Sequence, residues 1–456
     1  VIGLVGTSVT AGAAEGWSGP AARPAASAAA TAGGGQWLTY GGAATRVSVQ
    51  GSSPPLRPLR SRWNVAVDGN VYGEPLIDDG MVFVATENDT VYALSGANGH
   101  PLWRRHLGTP VPAGNLPCGD ISPTVGVTST MVIDPVSDQL FVAGSVMAGG
   151  AMHHMLWSLA LASGSLQWRR DLDRPGWTAS AQLQRTALGL AGGRVIVAYG
   201  GNFGDCGDYH GWVMSSPESA TGAVDAYMVP TQREGAIWAP SGVSVGANGD
   251  VFAVTGNGAS NTTYDEGDSV LELTPRMRLV DWFAPSDWAQ LNATDGDLGS
   301  NSAVVLPGNR LVVVGKNTTA YLLDEQNLGH LGGQVASVSA CFSQGGYAWA
   351  KPLLLVACPF DGMLALRVGS ASLGVAWHAP SQVTGSPTIA GGVAWSLTHS
   401  GSQVLYGLSP STGSVLLRVP TIATEHFAAP SAGEGLVVVG GDSRVEAFQG
   451  PRGFLG

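Results

Sequence analysis

From residue 75 onward one cadence returns along the chain: a glycine turn, a short apolar strand, a second turn, a strand ending in Ala-Leu or similar, then a glycine and a strand closing on tryptophan. Its clearest copy runs Gly80-Met81-Val82-Phe83-Val84-Ala85, Val91-Tyr92-Ala93-Leu94, Asn98-Gly99, Leu102-Trp103. A second runs Leu140-Phe141-Val142-Ala143, Leu156-Trp157-Ser158-Leu159, Ser163-Gly164, Leu166-Gln167-Trp168. Short β-rich runs between Gly, Asn and Asp turns form antiparallel hairpins. A repeat of this length cannot bury its faces alone, so copies must stack. Units begin near Pro75, Thr128, Arg185, Ala239, Ser300, Gly345, Ser386 and Ala428, and the span from Trp63 to Gln449 gives each about 48 residues, the size of a four-stranded blade. The last unit has three strands. Arg62-Trp63-Asn64-Val65-Ala66-Val67, ahead of the first unit, supplies its fourth and closes the ring, which removes free sheet edges. The expected fold is all-β: an eight-bladed β-propeller of four-stranded antiparallel blades closed by an N-terminal strand. Two β-sandwiches side by side would not repeat the cadence.

Composition agrees. With 66 Gly and 27 Pro among 456 residues the chain is dense in turns, and only 12% of it is charged, against about 25% in ordinary soluble domains. Helical bundles and solenoids need charged wet faces and few glycines, so they are disfavoured. Net charge is −11, and the only lysines are Lys316 and Lys351. No basic patch or run is present, so nucleic acid is not an expected partner. No apolar run approaches the ~18 residues of a membrane span. Residues 1–35 combine an apolar start with an Ala/Gly/Pro/Ser tract and read as a signal-peptide remnant and flexible linker, leaving 36–456 as a single propeller domain, expected to be a monomer.

Four cysteines stand without CxxC spacing, so zinc fits poorly, and no CxxCH for haem attachment exists. Cys341 precedes the first strand of its blade and Cys358 ends the second, placing both at one hairpin edge; Cys118 and Cys206 fall in same-face loops of adjacent blades. The expected pairs are Cys341–Cys358 and Cys118–Cys206. Disulfides and the N-terminal tract together point to a secreted protein or one of the periplasm or cell envelope.

In a blade, the loop before the innermost strand and the loop joining the second strand to the third lie on one face and converge on the axis. The polar segments 115–122, 202–210, 257–268, 292–297 and Lys316-Asn317 fall mostly in such loops. The cadence resembles the quinoprotein-type propeller repeat. The stretch from Ile237-Trp238-Ala239-Pro240 through Thr255-Gly256-Asn257-Gly258 to Asp295-Gly296-Asp297 is similar to the central motif of quinoprotein alcohol dehydrogenases, which bind pyrroloquinoline quinone with calcium or a lanthanide. The resemblance implies Asn257 as a metal ligand, Trp238 as the floor under the quinone, Asp295 as catalytic base and metal ligand, and Asp297 as the extra metal-binding carboxylate of lanthanide-using members. It also implies that Lys316, in Val314-Gly315-Lys316-Asn317, polarises the quinone carbonyl.

The pattern has gaps. The family's metal-binding Glu belongs near 200–210, where this chain offers Asp205 and Asp208; the loop Pro117-Cys118-Gly119-Asp120 holds one cysteine instead of an adjacent pair; and Thr124-Val125-Gly126 replaces the arginine that usually follows. Against the functional assignments stand simpler ones: Trp238 as a blade-core tryptophan like Trp103, and Asp295 and Asp297 as turn residues bonding their own backbone. Two functions follow. One is a dehydrogenase oxidising an alcohol, sugar or polymer hydroxyl with the quinone and a cation. The other is a non-catalytic scaffold binding protein or glycan through the same loops.

Overall fold

The computed structural model describes residues 35–399 and 403–454; the N-terminal tract lies outside them. Valine, leucine and alanine alternate with small residues in runs too short for anything but hairpins, and these form eight sheets. The first blade shows the pattern. Leu76–Asp78, Met81–Ala85 and Thr90–Ser95 are almost wholly buried, while the outer strand Pro101–His106 is largely exposed. Inner strands are sandwiched between neighbouring blades and read as continuous apolar runs; the rim strand meets water and takes Arg104, Arg105 and His106. The other innermost strands begin at Val132, Gly189, Ser244, Val304, Tyr347, Thr388 and Ser431. They follow the expected repeat starts closely, from Leu76 against Pro75 to Ser244 against Ala239. Ring closure is as expected: Arg60–Ala66 pairs antiparallel with Arg444–Gln449 as the outer strand of the last blade.

The Gly…Trp cadence has a packing cause. A Cβ on Gly99 would sit 2.8 Å from the Trp63 ring, one on Gly164 2.4 Å from Trp103, and one on Gly413 2.4 Å from Trp377. Each glycine turn therefore lies flat on the rim tryptophan of the preceding blade. The indole N–H of Trp63 donates to Gly96 O at 2.9 Å and that of Trp103 to Leu161 O at 2.8 Å, fixing adjacent blades in register.

The sequence assigned no role to residues 36–50, and here the structure adds an element. This stretch runs around the axis and bonds to the inner strands in blade order. Trp37 exchanges two backbone bonds with Ile77; Leu38 O accepts from Ile133 N; Ala44, Thr45, Val47 and Ser48 carbonyls accept from Val245, Val305, Trp349 and Ile389; and Gly35 O accepts from Glu434 N. Val49–Gln50 then pairs in parallel with Thr388–Ala390. The inner N–H groups that would face an open channel are thereby satisfied. Arg46, 1% exposed, crosses the axis and donates to Val243 O, Thr39 Oγ1, Tyr40 O and Leu188 O at 2.7 to 3.0 Å. Beside it, Glu74 accepts from Gly41 N at 2.8 Å.

Candidate functional site in the axial cavity

On the face opposite the inner-strand turns, loops from several blades enclose a cavity of about 610 Å³. One end is built from blades four and five. Trp238 enters ahead of the inner strand Ser244–Val245, and Asn257 follows the second strand Val251–Val254. Asp295 is the C-terminal cap of the short helix Trp288–Thr294, in the left-handed conformation with φ 56°, its backbone N–H donating to Leu291 O. Asp297, 5% exposed, precedes the turn Leu298–Ser300, and Lys316 follows Arg310–Val314.

These residues form one network. The Lys316 ammonium lies 2.9 Å from Asp295 Oδ1 and 2.5 Å from Asp297 Oδ2, and 5.2 Å from the centre of the Trp238 ring. Asn257 donates from its backbone to Asp297 Oδ1 at 2.8 Å and from Nδ2 to Asp295 Oδ1 at 3.2 Å. Asn257 Oδ1 is buried without a partner, and Asp295 Oδ2 is uncommitted. Gly256 permits the approach: a Cβ there would lie 2.6 Å from Asp297 Oδ1 and 3.1 Å from Trp238 Nε1. Burial raises the Asp297 carboxyl against the pull of Lys316. Burial alone would lower Lys316, but the charges and hydrogen bonds of Asp297 and Asp295 outweigh it and hold the ammonium above its usual value.

Trp238 is therefore no blade-core tryptophan. It packs beside Ala181, Tyr209 and Ala236 at the cavity. Asp205 also lines the cavity, but its Oδ1 accepts from Tyr209 Oη at 2.7 Å. Asp208 is not brought in: its side chain is 73% exposed and faces His210 at 3.9 Å. Among the described residues no third carboxylate joins Asp295 and Asp297 in a tight set of three; the only such set, His153 with Asp171 and Asp173, is on the rim of blade two. Both expected disulfides form, Cys118–Cys206 and Cys341–Cys358, each with Cα atoms 5.9 Å apart. The first braces the loop carrying Asn202 to Asp205.

Other cavity residues were not anticipated. Glu234 lines the same end, paired with Arg233 at 2.7 Å; burial raises its carboxyl. Its place, three residues before Ile237-Trp238, was readable had acids upstream of the tryptophan been sought. The far end holds Arg185, Asp120, His399, His426 and Phe427. These come from loops 65 residues or more from the matched motif in either direction, except Arg185, which marks the start of its repeat unit. Burial pushes the His399 and His426 imidazoles down to about 4, and His426 Nε2 lies 3.5 Å from Asp120.

Repeat and ring closure together define the class: an eight-bladed β-propeller that resembles the quinoprotein type. Comparison with known proteins agrees. The family described as outer membrane protein assembly factor BamB matches residues 57–203. Among solved structures, the quinohemoprotein alcohol dehydrogenase ADHIIG from Pseudomonas putida HK5 superposes with TM-score 0.69 at 13% identity, covering 91% of this chain and 80% of that one. A europium-containing methanol dehydrogenase gives 0.68 at 13%, covering 91% and 98%. BamB from Moraxella catarrhalis gives 0.57 at 12%, covering 86% and 97%. At these identities the likeness establishes the fold. No curated protein matches significantly.

Proposed function

We propose that the chain is an exported quinoprotein-type dehydrogenase acting on an alcohol, sugar or polymer hydroxyl. The observation that carries this is the meeting of Trp238, Asn257, Asp295, Asp297 and Lys316 in one cavity, with Asn257 Oδ1 buried and unpartnered. A buried amide oxygen costs about 1–3 kcal/mol when unpaired, and beside two carboxylates it is the donor set of a hard cation such as calcium or a lanthanide. Asn257, Asp295 and Asp297 would hold that cation and Trp238 would carry the flat ring system; pyrroloquinoline quinone, when bound, supplies the two-electron acceptor. Asp295 is mostly exposed, with Oδ2 free to accept the substrate hydroxyl proton. Lys316 stays protonated and offers N–H donors where a carbonyl gains charge. The two disulfides fit an oxidising compartment.

Reconstitution with the quinone plus Ca²⁺ or a lanthanide, followed by dye reduction over an alcohol panel, tests the proposal. Turnover lost in Asp295→Ala is expected; no turnover with any alcohol in the wild type overturns it. One observation favours the scaffold alternative: Lys316 already bridges both aspartates and offsets one of their two charges without a cation.

A further inference from the structure

Among the described residues two cationic side chains line the cavity, Lys316 and Arg185. Lys316 is already paired with Asp295 and Asp297. Arg185 is not: its guanidinium lies over the Phe427 ring at 4.3 Å and makes no hydrogen bond or ion pair with any described residue. The acids whose charge reaches it, Asp120 and Glu87, make no ion pair with it: Asp120 lies 3.5 Å from His426 Nε2, and Glu87 accepts from Gly126 N at 2.7 Å. His399 and His426 are neutral near pH 7, since burial holds both at about 4. Among the described residues the cavity thus has one cation without a hydrogen-bonded or ion-paired partner, a planar fork of five N–H donors at the end away from the Trp238 network. A cation drawn from water without a partner is costly, and a bidentate carboxylate is the group that fits the fork.

We infer that Arg185 is the anion anchor of the cavity, so that the ligand filling it presents a carboxylate to the guanidinium above Phe427. The carboxylate belongs either to the bound quinone or to a hydroxy-acid substrate. This rests on the dehydrogenase reading for what the ligand is, and on Arg185 alone for its charge. Arg185 comes from the loop before the inner strand of blade three, whereas the arginine missing from the sequence pattern belongs in blade two.

The test uses the intact chain as wild type, Arg185→Gln and Arg185→Lys, each checked for an unchanged thermal midpoint. Tryptophan fluorescence is titrated with pyrroloquinoline quinone and with its trimethyl ester, Ca²⁺ present. If the quinone supplies the carboxylate, Arg185→Gln weakens the acid roughly 10- to 100-fold, leaves the ester unchanged, and Arg185→Lys recovers part of the loss. If the substrate supplies it, quinone affinity is unchanged and KM for glycolate rises at least tenfold relative to ethanol. Equal quinone affinity and an equal glycolate-to-ethanol ratio in Arg185→Gln and wild type overturn the inference. A wild type that binds no quinone overturns the dehydrogenase reading instead, and the anchor is then decided by citrate and benzoate: a rise in thermal midpoint in wild type and none in Arg185→Gln supports it, and no rise in either overturns it.

Discussion

Gly256 shows how little room single residues have. A Cβ there would meet Asp297 Oδ1 and Trp238 Nε1 at 2.6 and 3.1 Å, so Gly256→Ala must displace the carboxylate from Lys316. Terbium luminescence should show cation affinity reduced tenfold or more with the unfolding midpoint nearly unchanged; unaltered affinity would mean that Asp297 is not a ligand. On the axis, Glu74 is raised by burial to about 8, only partly relieved by Gly41 N–H and Arg46. Its folded-state affinity for a proton exceeds the unfolded one, so its contribution is full below the unfolded value near 4.5 and is lost as pH rises through about 8. Between those limits stability should fall by up to about 1.4 kcal/mol per pH unit from this residue. Glu74→Gln should remove that share of the slope in urea titrations at pH 5, 7 and 9; an identical slope in the variant would contradict the assignment. Arg46→Leu strands four hydrogen-bonded acceptors and should cost about 3–5 kcal/mol in the same measurement.

At the scale of elements, the two disulfides do different work. Cys118–Cys206 closes 88 residues and Cys341–Cys358 closes 17; the chain-entropy model puts their upper contributions at about 4.6 and about 3 kcal/mol. Only the first braces a cavity wall, since a Cβ on Gly204 would lie 3.3 Å from Cys118 Sγ. Serine replacement of Cys118 and Cys206 together should lower stability and weaken quinone binding, whereas replacement of Cys341 and Cys358 should lower stability alone. Equal binding in both double variants would remove the wall from the account. The strands and the Cys341–Cys358 pair were readable in the sequence because both follow from hairpin spacing, and Cys118–Cys206 because same-face loops of adjacent blades meet; Gly99 and Gly164 mark turns that lie flat on Trp63 and Trp103. Position in the ring was readable for Asn257, Asp295 and Lys316 for the same reason. Side-chain direction was not. Asp205 and Asp208 share a loop, yet Tyr209 Oη holds the first at the cavity mouth while the second points into water. Arg185 carried no local signal, because its significance lies in partners it lacks.

For the whole molecule, the unexpected element is the stretch 35–50 that ties the inner strands together at the axis. Repetition reveals blades, but this segment belongs to no repeat and reads as loop. It also forms the floor on which the cavity rests, since Tyr40 adjoins Tyr72, Arg185, His426 and Phe427. A chain beginning at residue 57 retains every blade, including its closing strand, but leaves inner N–H groups of Ile133, Val245, Val305, Trp349 and Ile389 without partners; it should lose cooperative unfolding, seen as a broadened calorimetric transition.

The central claim is that the axial cavity holds a cation and a quinone between blades three, four and five. Its most direct measurement is the anomalous diffraction of crystals grown with the quinone and a lanthanide. A single strong peak is expected beside Asn257 Oδ1, with Lys316 drawn away from at least one of its two aspartates. No peak in the cavity, with Lys316 still bridging Asp295 and Asp297, would contradict it.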